Sequence, residues 1–289
     1  MENIDAIGFD LFNTLIMAQD GALQEASGRL MRSLRRNGFE LDSDLFRRTY
    51  REEALHCIQS ARKAGLETHN SFWISAALHK LSYSVAPDDP RITRTVDAYF
   101  SAFFDYCRLI PGTHDMLSAL KGHYRLGLLS NFTHAPAAEG LIDHLGLRPF
   151  FEAVVISGAV GIRKPHPLIF DHLVDALRVP KTRLIYVGDD PDSDISGAIE
   201  AGIRPVWMTY VRDREIPVVP GLMPESGDPP GRISPESPTG MSFSTSLRSR
   251  LRHRKPHDCG DRLETKSDRC ATKVAPTTSP ITAIKEENT

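Results

Sequence analysis

Residues 7–16 read IGFDLFNTLI, an apolar run that stops at Asp10 and resumes at Thr14 and Leu15. Such a run reads as a buried β-strand. A carboxylate at the end of a buried strand is costly unless something uses its charge. Working outward from IDAIGFD (4–10), four more short runs rich in Leu or β-branched residues follow: YRLGLLS (124–130), EAVVIS (152–157), RLIYVGD (183–189) and RPVWMTY (204–210). Most have a helical segment between them. This alternation predicts an α/β fold, a Rossmann-like parallel sheet, doubly wound with helices on both faces.

Between the first and second of these strands the pattern changes. Leu23, Ala26, Leu30 and Leu34 recur at helical spacing, as do Phe46, Tyr50, Ala54, Cys57 and Ala61, with Gly65 as a stop. NSFWISAALHKL begins with Asn70 as the expected N-cap, and Ile92, Val96, Tyr99 and Phe103 make a fourth face. Residues 17–108 therefore form an inserted module of about four helices. The chain returns through PGTHDMLSALKGHY, a helix leading into the second strand. Beyond residue 212 the chain is rich in Pro, Ser, Thr and Gly and poor in aromatics, so it cannot bury enough apolar surface to offset chain entropy. The expected organisation is a core at 1–16 and 109–212, a helical insert at 17–108 and a disordered C-terminal tail at 213–289.

The bulk numbers narrow the class. The 289 residues are 40% hydrophobic and 25% charged, with a formal net charge of −2. No global field favours nucleic acid or an anionic membrane. No apolar run approaches the roughly 20 residues a membrane helix needs. MENIDAIGFD carries acids and lacks the basic start of a signal peptide. Cys57, Cys107, Cys259 and Cys270 show no CxxC spacing and read as free thiols in a reducing cytosol. The expectation is a cytoplasmic monomer or homodimer acting on a small molecule, with no nucleic-acid or membrane partner.

Ligands of open α/β sheets bind outside the carboxyl ends of the strands. The first predicted strand ends in Asp10 and the second in Ser130-Asn131. Lys164 follows the third, in GIRKPHPLIF, and GDDPDSD, with Asp189, Asp190, Asp192 and Asp194, follows the fourth. Each alone also fits a turn residue, a helix cap or a solvated surface group. Together they suggest phosphoryl chemistry. A carboxylate nucleophile attacking a phosphate needs its charge neutralised. Asp10 and Asp189 could hold one Mg²⁺, Lys164 could add a second positive charge, and Ser130 with the Asn131 amide could donate to the phosphoryl oxygens.

FDLFNTL, LLSN, KPHPLIF and VGDDPDSDISGAIEAG, in this order, resemble the four sequence motifs of the haloacid dehalogenase-like (HAD-like) hydrolase superfamily. The resemblance covers roughly residues 4–210, and the insert looks like that family's helical cap. It implies Asp10 as nucleophile, Ser130 as the phosphoryl-binding hydroxyl and Lys164 as the neutralising lysine. It also implies Asp189 as a Mg²⁺ ligand, with Asp194 in or beside the metal shell. Gly197, Ala198 and Gly202 match the family's small residues.

One position departs from the pattern. Family phosphatases carry a second Asp two residues after the nucleophile as general acid and base, and here that residue is Phe12. Its carbonyl can still bind Mg²⁺. What is lost is proton delivery, a contribution of about 10²–10⁴-fold. Three explanations stand. The leaving group needs little protonation; another residue (His134, Asp190 or His69) takes over; or hydrolysis is weak or absent. Asn13 stands where the family usually has Gly, and Asn tolerates positive φ. Metal-free 2-haloacid dehalogenases also carry an aromatic at residue 12, which fits Phe12. Their fourth motif does not resemble Gly-Asp-Asp-Pro-Asp-Ser-Asp, and Asp189 beside Asp10 without a cation would be repulsive. The leading expectation is thus a Mg²⁺-dependent phosphohydrolase, with the dehalogenase and a degenerate binding protein as alternatives.

Other features carry less. Phe72-Trp73 fits either a pocket wall or a helix interior. GLETHN (65–70) could reach the site or be a surface loop. LRSRLRHRK (247–255) reads as an unstructured basic run, and His253, His257, Cys259 and Cys270 match no zinc module.

Overall fold

The computed structural model describes residues 3–214 of the chain. Strand β1 (Ala6–Phe9) is wholly buried. A tight turn leads to β2 (Ile16–Ala18), then four helices follow: α1 (Ala22–Arg36), α2 (Ser43–Ala64), α3 (Asn70–Lys80) and α4 (Pro90–Tyr106). Next come β3 (Cys107–Leu109), α5 (Thr113–Leu120), β4 (Arg125–Ser130) and α6 (Ala135–His144). The chain continues through β5 (Ala153–Ile156), the short α7 (Ser157–Val160), α8 (Pro167–Leu177) and β6 (Leu184–Gly188). A π-helical turn, Pro191–Ser196, runs into α9 (Gly197–Glu200) and then β7 (Arg204–Trp207).

The main sheet has the order β5-β4-β1-β6-β7, and every pairing in it is parallel. The five strands expected from sequence are these five. β1 sits at the centre, with β4 and β6 on either side, so the carboxyl ends of the three strands lie together. Both faces are covered: Ala6 and Leu129 pack on Ile169, Phe170, Leu173 and Leu177 of α8, while Ile7 and Phe9, which alternate to the other face, are equally buried. Gly8 has no side chain because α8 lies on it; a Cβ there would meet Leu173 Cδ2 at 2.7 Å.

The helices of the insert start and stop where their sequences direct. Asp42 accepts from the amides of Asp44 and Leu45 at the start of α2, and Gly65, at φ 67°, ends it. Asp89 caps α4 ahead of Pro90. The expected N-cap at Asn70 is corrected by one residue. His69 is the cap, accepting from the Ser71 amide, because the Asn70 amide is engaged elsewhere. It accepts from Thr133 Oγ1 at 2.5 Å and donates to Tyr50 Oη at 3.1 Å.

A second finding is the antiparallel pair β2–β3, which brackets the insert. Three-residue strands carry no periodicity, so this pair leaves no sequence signature. The tail expected at 213–289 falls outside the described residues apart from Asp213 and Arg214, as do LRSRLRHRK and the His/Cys set. Among the described residues no helix is long and apolar enough to cross a membrane.

Candidate active site

Asp10 continues β1 by one residue; its amide donates to Val187 O at 2.8 Å. The chain then turns at Asn13, whose φ is 57°, with Asn13 N donating to Ile16 O and Ile16 N to Leu11 O. This pattern leaves the Phe12 carbonyl without a hydrogen bond from any described residue. Ser130 ends β4 and is buried, and Asn131 follows. The Asn131 side chain clamps the lysine loop: Oδ1 accepts from Lys164 N at 2.8 Å and Nδ2 donates to Lys164 O at 3.0 Å.

So held, Lys164 points its Nζ into the sheet end. It donates to Asp10 Oδ1 at 2.7 Å, Asp194 Oδ1 at 2.6 Å and Tyr186 Oη at 2.9 Å. Asp189 follows β6. Asp190 Oδ1 accepts from the amides of Asp192 and Ser193 and so starts the π-helical turn, which carries Asp194 back under the strand end. Asp194 Oδ2 accepts from Asp190 N at 2.9 Å. Its two oxygens thus tie Lys164 to the acidic loop. Gly197 lets that loop press on Pro165, where a Cβ would lie 2.9 Å from Pro165 Cα.

The three carboxylates of Asp10, Asp189 and Asp194 each offer an oxygen within 4.8 Å of the others. Burial raises Asp10 to about 7, against the pull of Lys164, and Asp194 adds to the rise. Burial, then the charges of Asp10 and Asp194, raises Asp189 to about 8. The ion pairs with Asp10 and Asp194 outweigh burial at Lys164 and hold its ammonium well above the usual lysine range. No described residue donates a hydrogen bond to the Asp189 carboxylate. One ammonium therefore pairs with two of three clustered acids, and Asp189 has no partner of its own among the described residues. Such a donor set fits a hard divalent cation.

Gly188 tests this close packing. A Cβ there would meet Asp194 Cγ at 2.3 Å and Cβ at 2.5 Å. Gly188→Ala must therefore displace Asp194 and, through it, Lys164. Turnover is expected to fall about 10²-fold, the scale of an ångström misplacement, measured as kcat on any substrate the wild type accepts.

The strand ends open into a cavity of about 370 Å³ that the insert roofs. Asp10, Ser130, Asn131, Lys164, Asp189 and Asp194 all line it, as do Leu23, Ile58, Asn70, Trp73 and Tyr99 of the insert. Of the Phe72-Trp73 pair, Trp73 lines the cavity and Phe72 is exposed. The GLETHN loop does reach the core. Glu67 pairs with Arg163 at 2.9 Å and accepts from Ser157 Oγ at 2.5 Å, and the Glu67 side chain is only 3% exposed.

The two histidines considered as replacement acids stand apart from the cavity lining. His134 stacks on Phe100 with ring centroids 5.0 Å apart, and His69 lies 5.3 Å from it. Burial lowers both below the ordinary histidine range. Asp190 does line the cavity, with Asp189, and its charge adds to the rise at Asp189. Tyr186 escaped the sequence reading. Its signal was a hydroxyl in an otherwise apolar strand, which asks for a buried partner; it finds Lys164 and Leu129 O. The clamp by Asn131 and the Glu67–Arg163 pair left no such trace.

The profile of the haloacid dehalogenase-like hydrolase family matches residues 4–202. Glyceraldehyde 3-phosphate phosphatase of Pyrococcus furiosus is 30% identical over 217 residues, which are 75% of this chain and 85% of that one. Pyrimidine 5'-nucleotidase YjjG of Escherichia coli is 34% identical over 113 residues, 39% of this chain and half of the nucleotidase's length. Among solved structures, 2-haloacid dehalogenase from Pseudomonas syringae pv. Tomato DC3000 superposes with a TM-score of 0.52 at 24% identity, covering 71% of this chain and 86% of that one.

Proposed function

Because the chain belongs to the haloacid dehalogenase-like hydrolase family, and is a hydrolase, we propose that it is a Mg²⁺-dependent phosphohydrolase of a small phosphorylated molecule, with Asp10 as nucleophile. The observation that carries this reading is the cluster of Asp10, Asp189 and Asp194 around one lysine. Asp10, Asp189 and the Phe12 carbonyl would hold the ion, with Asp194 beside them. When bound, Mg²⁺ supplies the positive charge that lets a carboxylate approach a phosphate.

The chain's own groups do the rest. An Asp10 oxygen attacks phosphorus in line and forms an aspartyl-phosphate. Lys164, Ser130 Oγ and the Asn131 amide stabilise the phosphoryl oxygens as charge develops. Water then releases phosphate and restores Asp10. Residues 17–108 act as a cap that closes over the core, 1–16 and 109–212, and excludes bulk water. The phosphatase names of the relatives support the same class of substrate.

Metal removal tests this. EDTA should abolish phosphate release and added Mg²⁺ should restore it. The ion should also stabilise the fold, by about 2.7 kcal/mol at a hundred times its Kd, or roughly 5–10 °C for a unit of this size. The gain depends on pH with a definite sign. Asp10 and Asp189 are raised from 3.8 to about 7 and about 8. In the metal-free fold their contribution is fully present below about pH 3.8, where the unfolded chain is also protonated, and is lost progressively as pH rises from there through 7–8, where they ionise against each other. Mg²⁺ binds the ionised form. The melting shift should be small near about pH 5.5 and largest above about pH 8. Halide release from 2-haloacids that survives EDTA, without phosphate-ester turnover, would establish the dehalogenase instead. Silence on both substrate panels, with Phe12→Asp creating phosphatase activity, would favour a degenerate binding protein.

A further inference from the structure

The cavity lining holds two unlike sets of groups. One is the carboxylates with Lys164. The other is a wall of rings, Phe12, Trp73, Tyr99, Phe100, Phe103 and Phe132. Phe12 belongs to this wall. Its ring lies edge-on to Phe103 with centroids 6.1 Å apart and tilted against Phe132 at 5.7 Å. Phe100 and Phe132 continue the contact at 5.2 Å. Packing from α4 and from the segment after β4 thus fixes the side chain that stands where an acid would deliver a proton.

The polar groups near the wall are partly engaged. Asn70 is held by Thr133 and Tyr50, and Arg163 pairs with Glu67 through Nη1 while its buried Nε has no partner among the described residues; Arg62 also lines the cavity. A leaving group carrying several hydroxyls would bury them against rings with few partners on offer, which disfavours it. A flat apolar group would instead meet ring faces and edges.

We infer that the substrate's leaving group is planar, apolar and weakly basic: an aryl phosphate rather than a sugar or polyol phosphate. This rests on the reading of Asp10 as a phosphoryl acceptor and names the ester that such a site would cleave. A phenol resembles the tyrosine side chain, with a pKa of about 10, whereas an alkoxide is nearly as basic as hydroxide. The aryl ester departs without the missing acid. An Asp10 oxygen bonds to phosphorus, the P–O bond to the aryl oxygen breaks, and the electron pair leaves on the phenolate, which takes its proton from solvent. Water next bonds to phosphorus, the P–O bond to Asp10 breaks, and the proton of the attacking water passes to the released phosphate or to solvent.

The test uses the full chain with Mg²⁺ and three monoesters: phenyl, cyclohexyl and glycerol phosphate. Phenyl and cyclohexyl differ little in size but greatly in leaving-group basicity. Phosphate release should favour phenyl phosphate in kcat/KM by about 10²-fold or more over both others, the scale of a missing general acid. Phe12→Asp should raise the alkyl rates at least about tenfold and narrow the gap. If wild type cleaves glycerol or cyclohexyl phosphate as fast as phenyl phosphate, the inference is wrong while the phosphohydrolase stands. Loss of such alkyl turnover in Tyr99→Phe would then assign the proton to the Tyr99 phenol in the wall. If none of the three releases phosphate, both readings fall. Should Phe12→Asp not fold, the wild-type panel already decides.

Discussion

Asp10→Asn should lower turnover by about 10⁴–10⁶-fold, the range seen when a covalent nucleophile is removed. The amide matches the carboxylate in shape but cannot form the phosphoryl adduct. Its oxygen can still accept from Lys164, and Asp194 remains to hold that ammonium. The fold should therefore persist, and the metal-free protein should be no less stable, since one of three crowded acids has lost its charge. Two measurements check this: phosphate release, and capture of a labelled adduct on residue 10 in the wild type alone. Activity within tenfold of wild type would show that Asp10 only binds.

Lys164→Ala should be the most disruptive change to the fold at this site. The ammonium is 2% exposed and bonded to Asp10, Asp194 and Tyr186. Its removal leaves two buried carboxylates with no counter-charge, and breaking a buried pair in this way costs about 3–5 kcal/mol. Because those acids then resist ionisation, the loss should deepen as pH rises. Denaturant unfolding at several pH values reads it. In whatever protein folds, turnover should fall about 10²–10³-fold, as for other charge-stabilising groups. An unchanged midpoint would mean that the carboxylates find another partner.

The sheet was legible because each of its five strands is a dense apolar run, and the run around Asp10 breaks at a charge. The ordered residues Asp10, Ser130, Lys164 and Asp189 were legible because strand ends converge in a parallel sheet, so distance in sequence becomes proximity. The helices of the insert followed from spacing, with Gly65 marking a true stop. The N-cap at Asn70 missed by one residue because a tertiary partner, Thr133, captured the amide. The β2–β3 pair is too short for any period. Phe12 was visible as a departure, but its meaning needed the rings packed on it, Phe103 and Phe132, which are far away in sequence. Tyr186 was hidden within an apolar strand until its hydroxyl was found on Lys164.

Glu67 and Arg163 join the helical insert to the sheet unit through a largely buried ion pair. Opposite charges there attract strongly, yet each has given up hydration of similar size. Parting them restores that hydration. On the proposal that residues 17–108 close as a cap, this pair is a balanced latch rather than a weld, and a guest that prefers the shut form by a modest margin would tip the population toward it.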